Sequence, residues 1–345
     1  MKTFDEATAS IPLAWVGPVK TTGPFPYDGP VPLATFESPL WPSVARGAAV
    51  TRHAGGIFAA VPDARMTRSV ALAAPDAERA AAWAAEVPSL AEELRRATGA
   101  TSRHAKYLDC RAETAGRLLF LRFAFSTGEA SGHNMATKAA AAALQWLLAH
   151  WEGAEYVSES GNLCCDKKTS AVNGLLGRGR RAVAEARIPA ALVKRFLHVE
   201  AADIERLNWR KNYVGSVLAG SLRSANAHFA NMLLAFYLAT GQDAANIVEG
   251  SQGTVLAEAE ADGALRFSVT LPNLVVGTVG NGKGLPWVKE NLARLGCDGG
   301  GDGSASARLA ALAAATVLCG ELSLLAALAK PGELMGAHLA LERGK

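Results

Sequence analysis

The sequence predicts a compact soluble protein that combines helices with strands, in two domains or in one domain that carries an insertion. The chain has 345 residues, half of them hydrophobic, which is enough to bury a sizeable core. Residues 118–125 form a β-prone run that is followed by glycines and then by a helix-prone stretch reaching Trp151. Residues 264–271 and 274–279 also have strand-like patterns, and an alanine- and leucine-rich stretch follows them.

The amino-terminal third has three kinds of local pattern. Residues 1–32 are rich in proline and glycine, which predicts an irregular leader with short extended pieces. Residues 76–97 combine alanine with glutamate and arginine, a composition typical of a surface helix. That helix is expected to break near Pro88, because proline lacks the N–H that a helix interior needs. Asn134 is a suitable first residue for the next helix.

Two apolar helices are predicted in the carboxyl-terminal third. Residues 224–240 predict a long helix that ends at Gly241, a residue type favoured just after a helix. The last long helix is expected from about residue 307 towards residue 329. Its apolar tract contains Glu321, so we interpret it as a buried helix and not as a membrane span.

Composition restricts the classes of function. The formal net charge is +3 and 19% of the residues are charged, so no electrostatic feature indicates nucleic acid or an anionic membrane as a partner. The first ten residues contain no apolar signal segment, and five cysteines without framework spacing suit free thiols in a reducing cytoplasm. The seven histidines lack zinc-ligand spacing, so no metal is expected.

The segment 127–132 has the arrangement of an anion site, because it lies between a predicted strand and a predicted helix. Backbone N–H groups at a helix start are able to receive a phosphate. The glycines are spaced G-x-x-x-G, which differs from the dinucleotide-binding fingerprint. Taken alone, this segment is explained better by a plain turn than by an anion site.

A polar segment at 161–168 places Asp166 beside Lys167 and Lys168. Its glycine and asparagine permit unusual backbone angles, so it predicts a shaped loop. An acid beside two lysines is also typical of solvated surface, and the segment alone does not decide between surface and site.

Short segments found in one order across the chain carry a more specific signal. They are PLATFE (32–37), MTR (66–68), TSR (101–103), GEASGHNM (128–135), SGNLCCDKK (160–168), KNYVGS (211–216), NAHFAN (226–231), GQD (241–243), GTVG (277–280), GELS (320–323) and finally His338. Together they resemble 3-hydroxy-3-methylglutaryl-CoA (HMG-CoA) reductase. The TSR and Gly-x-Asn-Met segments make the chain most similar to the soluble catalytic domain of the NADPH-using class I branch.

The resemblance implies a role for each matched residue. The implied catalytic residues are Glu37, Lys167, Asp243 and His338. Contacts to the hydroxymethylglutaryl group are implied for Ser43, Arg68, Lys168, Lys211 and Asn231. Contacts to the nicotinamide nucleotide are implied for Ser102, Arg103, Glu129, Gly132, Asn134 and Met135.

The resemblance also implies an architecture and an assembly. The fold is expected to be α+β, with a large helix-rich α/β domain formed by residues 1–69 and 159–345. A small ferredoxin-like NADP-binding domain is expected as an insertion at residues 70–158. Members of the family form homodimers or dimers of dimers whose active sites lie at the subunit interface. The expected location is the cytoplasm.

The implied reaction reduces a thioester to an alcohol through two hydride transfers and yields mevalonate, an isoprenoid precursor, and CoA. Lys167 would stabilise the negative carbonyl oxygen, and His338 would protonate the departing thiolate. Glu37, if desolvated, would supply the last proton, with Asp243 coupled to both Lys167 and Glu37. Arg103 would recognise the 2′-phosphate of NADPH, while NADH is left open.

Departures from the family pattern keep two alternatives open. Glu129, Ser131 and His133 stand where the family has aspartate and two methionines, and the segment 280–283 (GNGK) replaces a glycine triplet. One alternative is a related NAD(P)H-dependent reductase of another acyl-CoA thioester. The other is a non-catalytic CoA- or nucleotide-binding protein. Retention of the four implied catalytic residues disfavours the second.

Overall fold

The computed structural model describes residues 8–342, without the side chains at positions 337, 338 and 340–342. Its strands are β1 (Leu13–Thr22), β2 (Tyr27–Ala34), β3 (Ile57–Ala73), β4 (Lys106–Ala115), β5 (Leu118–Ser126), β6 (Glu155–Ser158), β7 (Gly179–Ile188), β8 (Thr254–Ala259) and β9 (Leu265–Leu274). Its α-helices are α1 (Leu40–His53), α2 (Ala77–Glu86), α3 (Ala91–Gly99), α4 (His133–His150), α5 (Ala171–Leu176), α6 (Ala190–Leu192), α7 (Ala201–Leu207), α8 (Ser216–Leu218), α9 (Phe229–Ala239), α10 (Ile247–Gly250), α11 (Pro286–Arg294), α12 (Ser304–Ala329) and α13 (Glu333–Glu342). Short 3₁₀ turns lie at Val87–Leu90 and Ala244–Asn246, and π turns at Val193–Leu197 and Asn208–Gly215.

The larger sheet has the order β2-β1-β3-β7-β9-β8. Only the contact of β1 with β3 is parallel in this path, so the sheet is mixed. The prediction of an irregular leader is wrong, because residues 13–34 form the β1–β2 hairpin. Pro30 and Pro32 are tolerated because β2 lies at the edge of the sheet, and Val19, Val31 and Leu33 bury their side chains in the core.

Helix α12 lies at the centre of the large core and contacts α1, α9 and strands of the larger sheet. Among the described residues it is the one helix long and apolar enough to cross a membrane, but 94% of its most apolar window is buried inside the protein. The prediction of a buried helix is therefore confirmed. Helix α1, which the sequence pattern did not predict, packs so closely that a side chain at Gly47 would collide with the Cys319 backbone.

A second sheet is built on the distal half of β3, in the antiparallel order β4-β5-β3-β6. Helices α2, α3 and α4 cover it, and its core is separate from the one around α12. Trp83 and Trp151 stack at 4.9 Å in this core. The 17-residue strand β3 therefore belongs to both sheets and connects them.

Several predicted element bounds need correction. The break at Pro88 is confirmed by the turn between α2 and α3. The helix predicted from residue 224 begins at Phe229, because the Glu321 carboxylate accepts the N–H groups of the two preceding residues. The second predicted strand, 274–279, is irregular beyond Leu274.

Candidate active site

The segment 161–168 forms a shaped loop, as predicted. Asn162, Cys165 and Lys167 all have positive φ angles, between 46° and 60°. Asn173 holds this conformation, since its side-chain amide donates to the carbonyls of Cys164 at 3.0 Å and Cys165 at 3.1 Å. The Cys164 side chain is buried, so it packs beneath the loop and leaves the lysines above it. The strained backbone of this loop therefore positions the Lys167 side chain.

Lys167 forms an ion pair with Asp243, at 2.7 Å between Nζ and Oδ2. Asp243 follows Gly241, whose φ of +64° ends α9 and turns the chain towards the loop. The hydrogen bond to Asp243 raises the pKa of Lys167. Burial raises the pKa of Asp243, but the bonds from Lys167 and from the Ala245 N–H, with the charge of Lys167, together outweigh it and leave that pKa below its usual value. Both groups therefore carry their charges at neutral pH.

A cleft of about 540 Å³ lies over this ion pair. Its opposite wall is the amino-terminal end of α4, which Gly132 begins with a φ of +92°. The structure therefore brings together six of the predicted site residues: Arg68, Gly132, Asn134, Met135, Lys167 and Asp243. A side chain at position 132 would collide with Thr127, so the loop requires glycine there.

A buried ion pair supports the floor of this cleft. Arg178 Nη1 lies 2.8 Å from Glu249 Oε1, and both side chains are at most 1% exposed. A second nitrogen of Arg178 lies 3.0 Å from the Asp166 carboxylate, in the loop that carries Lys167. Burial raises the pKa of Glu249 while Arg178 lowers it. Arg178 thus connects the loop 161–168 to the protein interior.

The Glu129 side chain stabilises the loop between β5 and α4. Its carboxylate accepts the N–H groups of Gly303 at 2.9 Å and Ser306 at 2.7 Å, at the beginning of α12. It does not line the cleft among the described residues. Arg180 holds the same loop by donating to the Gly128 carbonyl at 2.7 Å. These contacts fix the loop between β5 and α4 to the α12 amino terminus.

Ser102 and Arg103 lie at the edge of the second sheet's layer. The Ser102 hydroxyl is 3.8 Å from the Met135 sulfur, which connects this segment to the start of α4. Arg103 is exposed and its only described side-chain hydrogen bond is to His104. Its guanidinium is therefore able to bind an anion at the protein surface.

Glu37 lies in a different cleft, of about 380 Å³, which Ser43 and Asn231 also line. The Asn231 amide donates to the Glu37 carboxylate at 3.0 Å. No contact in the described part of the chain joins Glu37 to Lys167 or Asp243. The expected coupling of Asp243 with Glu37 is therefore not made within one chain.

Two further predicted residues, Lys168 and Lys211, line neither cleft as described. Lys168 is exposed and donates to the Asp166 carbonyl at 3.1 Å. Lys211 is exposed on the π turn at Asn208–Gly215 and lines neither cleft as described. His338 belongs to α13, but its side chain lies outside the described residues.

Two residues at the cleft were not among the predicted site residues. His133 Nε2 lies 3.7 Å from the Asp166 carboxylate, and burial followed by the charge of Arg178 lowers the pKa of His133 to about 4. Lys283 lies in the wall beside Asp243, and burial lowers its pKa to about 8. The signal that could have identified both was their departure from the family pattern.

The fold is shared with solved reductases. A class II HMG-CoA reductase from Streptococcus pneumoniae, described as bound to NADPH in open conformations, matches with a TM-score of 0.74 over 94% of this chain and 86% of that one. The identity is 20%, so this comparison establishes the fold alone. It confirms a mixed α/β architecture with a mixed sheet.

Sequence comparison identifies the family. The HMG-CoA reductase of Pyrococcus abyssi is 42% identical over 96% of this chain and 82% of its own length. That of Haloferax volcanii is 42% identical over 96% and 82%. The family profile described as hydroxymethylglutaryl-coenzyme A reductase matches residues 7–343. The chain belongs to the hydroxymethylglutaryl-coenzyme A reductase family, which confirms the resemblance and the prediction of an oxidoreductase.

Proposed function

We propose that the protein reduces (S)-3-hydroxy-3-methylglutaryl-CoA to mevalonate and CoA with two molecules of NADPH, in the cytoplasm. The observation that carries this proposal is the Lys167–Asp243 ion pair, which lies in one cleft with the amino terminus of α4. A cation stabilises the oxyanion that hydride reduction of a thioester forms, and a helix start suits the pyrophosphate of the hydride donor.

The chemical roles follow from charge. Lys167 is fully charged and paired, so it is preorganised to stabilise the oxyanion formed by each hydride transfer. Arg68 lines the same cleft and suits the carboxylate of the acyl group. Lys168 and Lys211 are proposed to bind further acyl oxygens. His338 is proposed to protonate the thiolate of CoA, because an imidazole titrates near neutral pH. Glu37, hydrogen-bonded to Asn231, is proposed to supply the proton for the final alkoxide.

The proposed cofactor unit is an inserted ferredoxin-like domain at residues 70–158, with residues 1–69 and 159–345 forming the large domain. The separate core of the second sheet supports this division. The start of α4, with Asn134 and Met135, is proposed to receive the NADPH pyrophosphate, while Ser102 and the exposed Arg103 bind the 2′-phosphate. NADH would lose this last contact. NADPH is named for the S. pneumoniae relative, which supports the choice.

The proposed assembly is a homodimer, or a dimer of dimers, whose active sites lie between subunits. The separation of Glu37 from Lys167 supports this, since one chain alone leaves the proposed machinery in two clefts. Exposed apolar side chains also adjoin the residues left outside the main cleft. Phe36, beside Glu37, is 77% exposed, and Trp209 and Val217, on either side of Lys211, are 63% and 77% exposed.

The test is NADPH oxidation by purified protein with HMG-CoA, with mevalonate and CoA quantified. We expect two NADPH consumed per CoA released, and a weaker reaction with NADH. Turnover with a different acyl-CoA but none with HMG-CoA would replace the substrate assignment. Binding of NADPH without turnover of any thioester would instead support a non-catalytic binding protein.

A further inference from the structure

Lys283 is a buried cation that the proposed reaction does not use. It is 8% exposed and lies in a wall between the 540 Å³ cleft and a second cavity of about 720 Å³. Burying an ammonium is unfavourable unless its hydrogens find acceptors, so its contacts indicate why the lysine is tolerated.

The acceptors of Lys283 belong to the turn that presents Asp243. Lys283 Nζ donates to the Gly241 carbonyl at 2.5 Å and is 3.4 Å from the Asn281 carbonyl. Gly282 is packed so closely that a Cβ would lie 2.8 Å from the Gly241 oxygen. The bond thus fixes the carbonyl two residues before the catalytic carboxylate.

The segment 277–283 also contacts the Asp243 turn at Gln242. The Gln242 side chain accepts the Gly277 N–H at 2.9 Å, and the Thr278 N–H is bonded to the Glu129 carbonyl at 2.8 Å. The segment 277–283 therefore contacts both the Asp243 turn and the loop before α4. It forms a physical connection between the cofactor side of the cleft and the ion pair.

We propose that Lys283 is a positioning residue, whose ammonium holds the turn at Gly241 so that Asp243 meets Lys167. A charge-assisted bond to a carbonyl is stronger than a neutral one. Without it the Gly241 carbonyl loses its described side-chain donor, the turn moves, and the Asp243 carboxylate becomes free to leave Lys167. This inference rests on the proposed function only for the catalytic importance of that ion pair.

The first measurement does not depend on activity. Trace acetylation of the lysines, read by mass spectrometry, reports how accessible and how basic each amine is. Because Asp243 raises the pKa of Lys167, Lys283→Met should lower that pKa and increase the labelling rate of Lys167 by roughly threefold. Lys283→Arg, which retains a charged donor, should restore the slow rate. An unchanged Lys167 rate in folded Lys283→Met overturns the proposal.

The second measurement is a double-mutant cycle on turnover. Lys283→Met should lower kcat by about tenfold with little change in the KM for NADPH, and should have no further effect in an Asp243→Asn background. Lys289→Met is the matched control, because Lys289 is an exposed lysine on the same second cavity. Equal effects of Lys283→Met in both backgrounds would contradict an action through Asp243.

These two measurements separate the inference from the proposed function. A wild-type protein that turns over no thioester, but whose Lys167 labelling responds to Lys283→Met, contradicts the function and supports the positioning role. An active protein whose Lys167 labelling rate is unchanged by Lys283→Met supports the function and contradicts the positioning role. Circular dichroism of each variant establishes that the compared proteins are folded.

Discussion

The two clefts of this protein differ in how firmly their charged residues are held. Lys167 pairs with Asp243 at 2.7 Å, and its loop is tied to the buried Arg178–Glu249 pair. Glu37, in the other cleft, has one described side-chain partner, the amide of Asn231. Arg46, which lines the same cleft, is paired with Glu333 at 2.6 Å.

Of the proposed catalytic residues, Lys167 and Asp243 are therefore preorganised within the chain, and Glu37 is not. A paired lysine at the base of a cleft stabilises charge without reorganisation. An exposed carboxylate bonded to one amide needs a partner surface that removes water from around it before it is able to hold and deliver a proton. That requirement agrees with active sites formed between subunits.

The largest expected effect is on turnover, from Lys167→Ala. Losing the only proposed oxyanion cation should lower kcat by about 10³-fold, while the dissociation constant of NADPH changes little. Steady-state kinetics and fluorescence titration of NADPH check the two halves of this statement. Lys194→Ala is a suitable control, because Lys194 also forms an ion pair, with Glu200 at 3.0 Å, but lies in neither cleft. Substantial residual activity would remove Lys167 from the oxyanion role.

A mixture of two inactive variants tests whether the clefts meet between subunits. Glu37→Gln and Lys167→Ala proteins, co-expressed in equal amounts, should regain about a quarter of wild-type activity, because half the dimers are mixed and each mixed dimer has one intact site. Each variant alone is the control. If both residues of a site came from the same chain, the mixture would remain inactive.

The sequence predicted the chemistry of the site better than its geometry. The order of short motifs was enough to identify Lys167 and Asp243, which the structure places in contact. Their pairing depends on Asn173 and Arg178, whose long-range contacts leave no local pattern. The separation of Glu37 from this pair was likewise invisible, because spacing along a chain does not specify which cleft a side chain enters.

The same limit applies to the fold. Periodicity was sufficient for α4, α12 and the break at Pro88, where local preference and burial agree. It failed for the β1–β2 hairpin, where prolines occupy an edge strand, and for the start of α9, where Glu321 from a distant helix supplies the cap. Those features depend on contacts between segments far apart in sequence.

A matched pair of arginine substitutions tests the difference in stability between the clefts. Arg178→Met leaves Glu249 buried without its ion-pair partner, so the free energy of unfolding should fall by about 3–5 kcal/mol. Arg46→Met breaks the partly exposed pair with Glu333 and should cost about 0–1 kcal/mol. Urea unfolding followed by circular dichroism measures both. Equal losses would contradict the claim that the Lys167 cleft is the more rigid one.

A smaller effect than that of Arg178→Met is expected on the pH dependence of stability, from His133. Burial and Arg178 hold its folded pKa at about 4, below the ordinary value of 6.5, although Asp166 and Asp243 oppose them. The unfolded chain therefore binds the proton first, and stability present above pH 6.5 is lost as the pH falls towards 4. His133→Met should reduce this loss by about 1–3 kcal/mol. Urea unfolding of both proteins at pH 7 and pH 4.5 measures this difference. An unchanged pH dependence in His133→Met would mean that the His133 side chain is solvated and not buried.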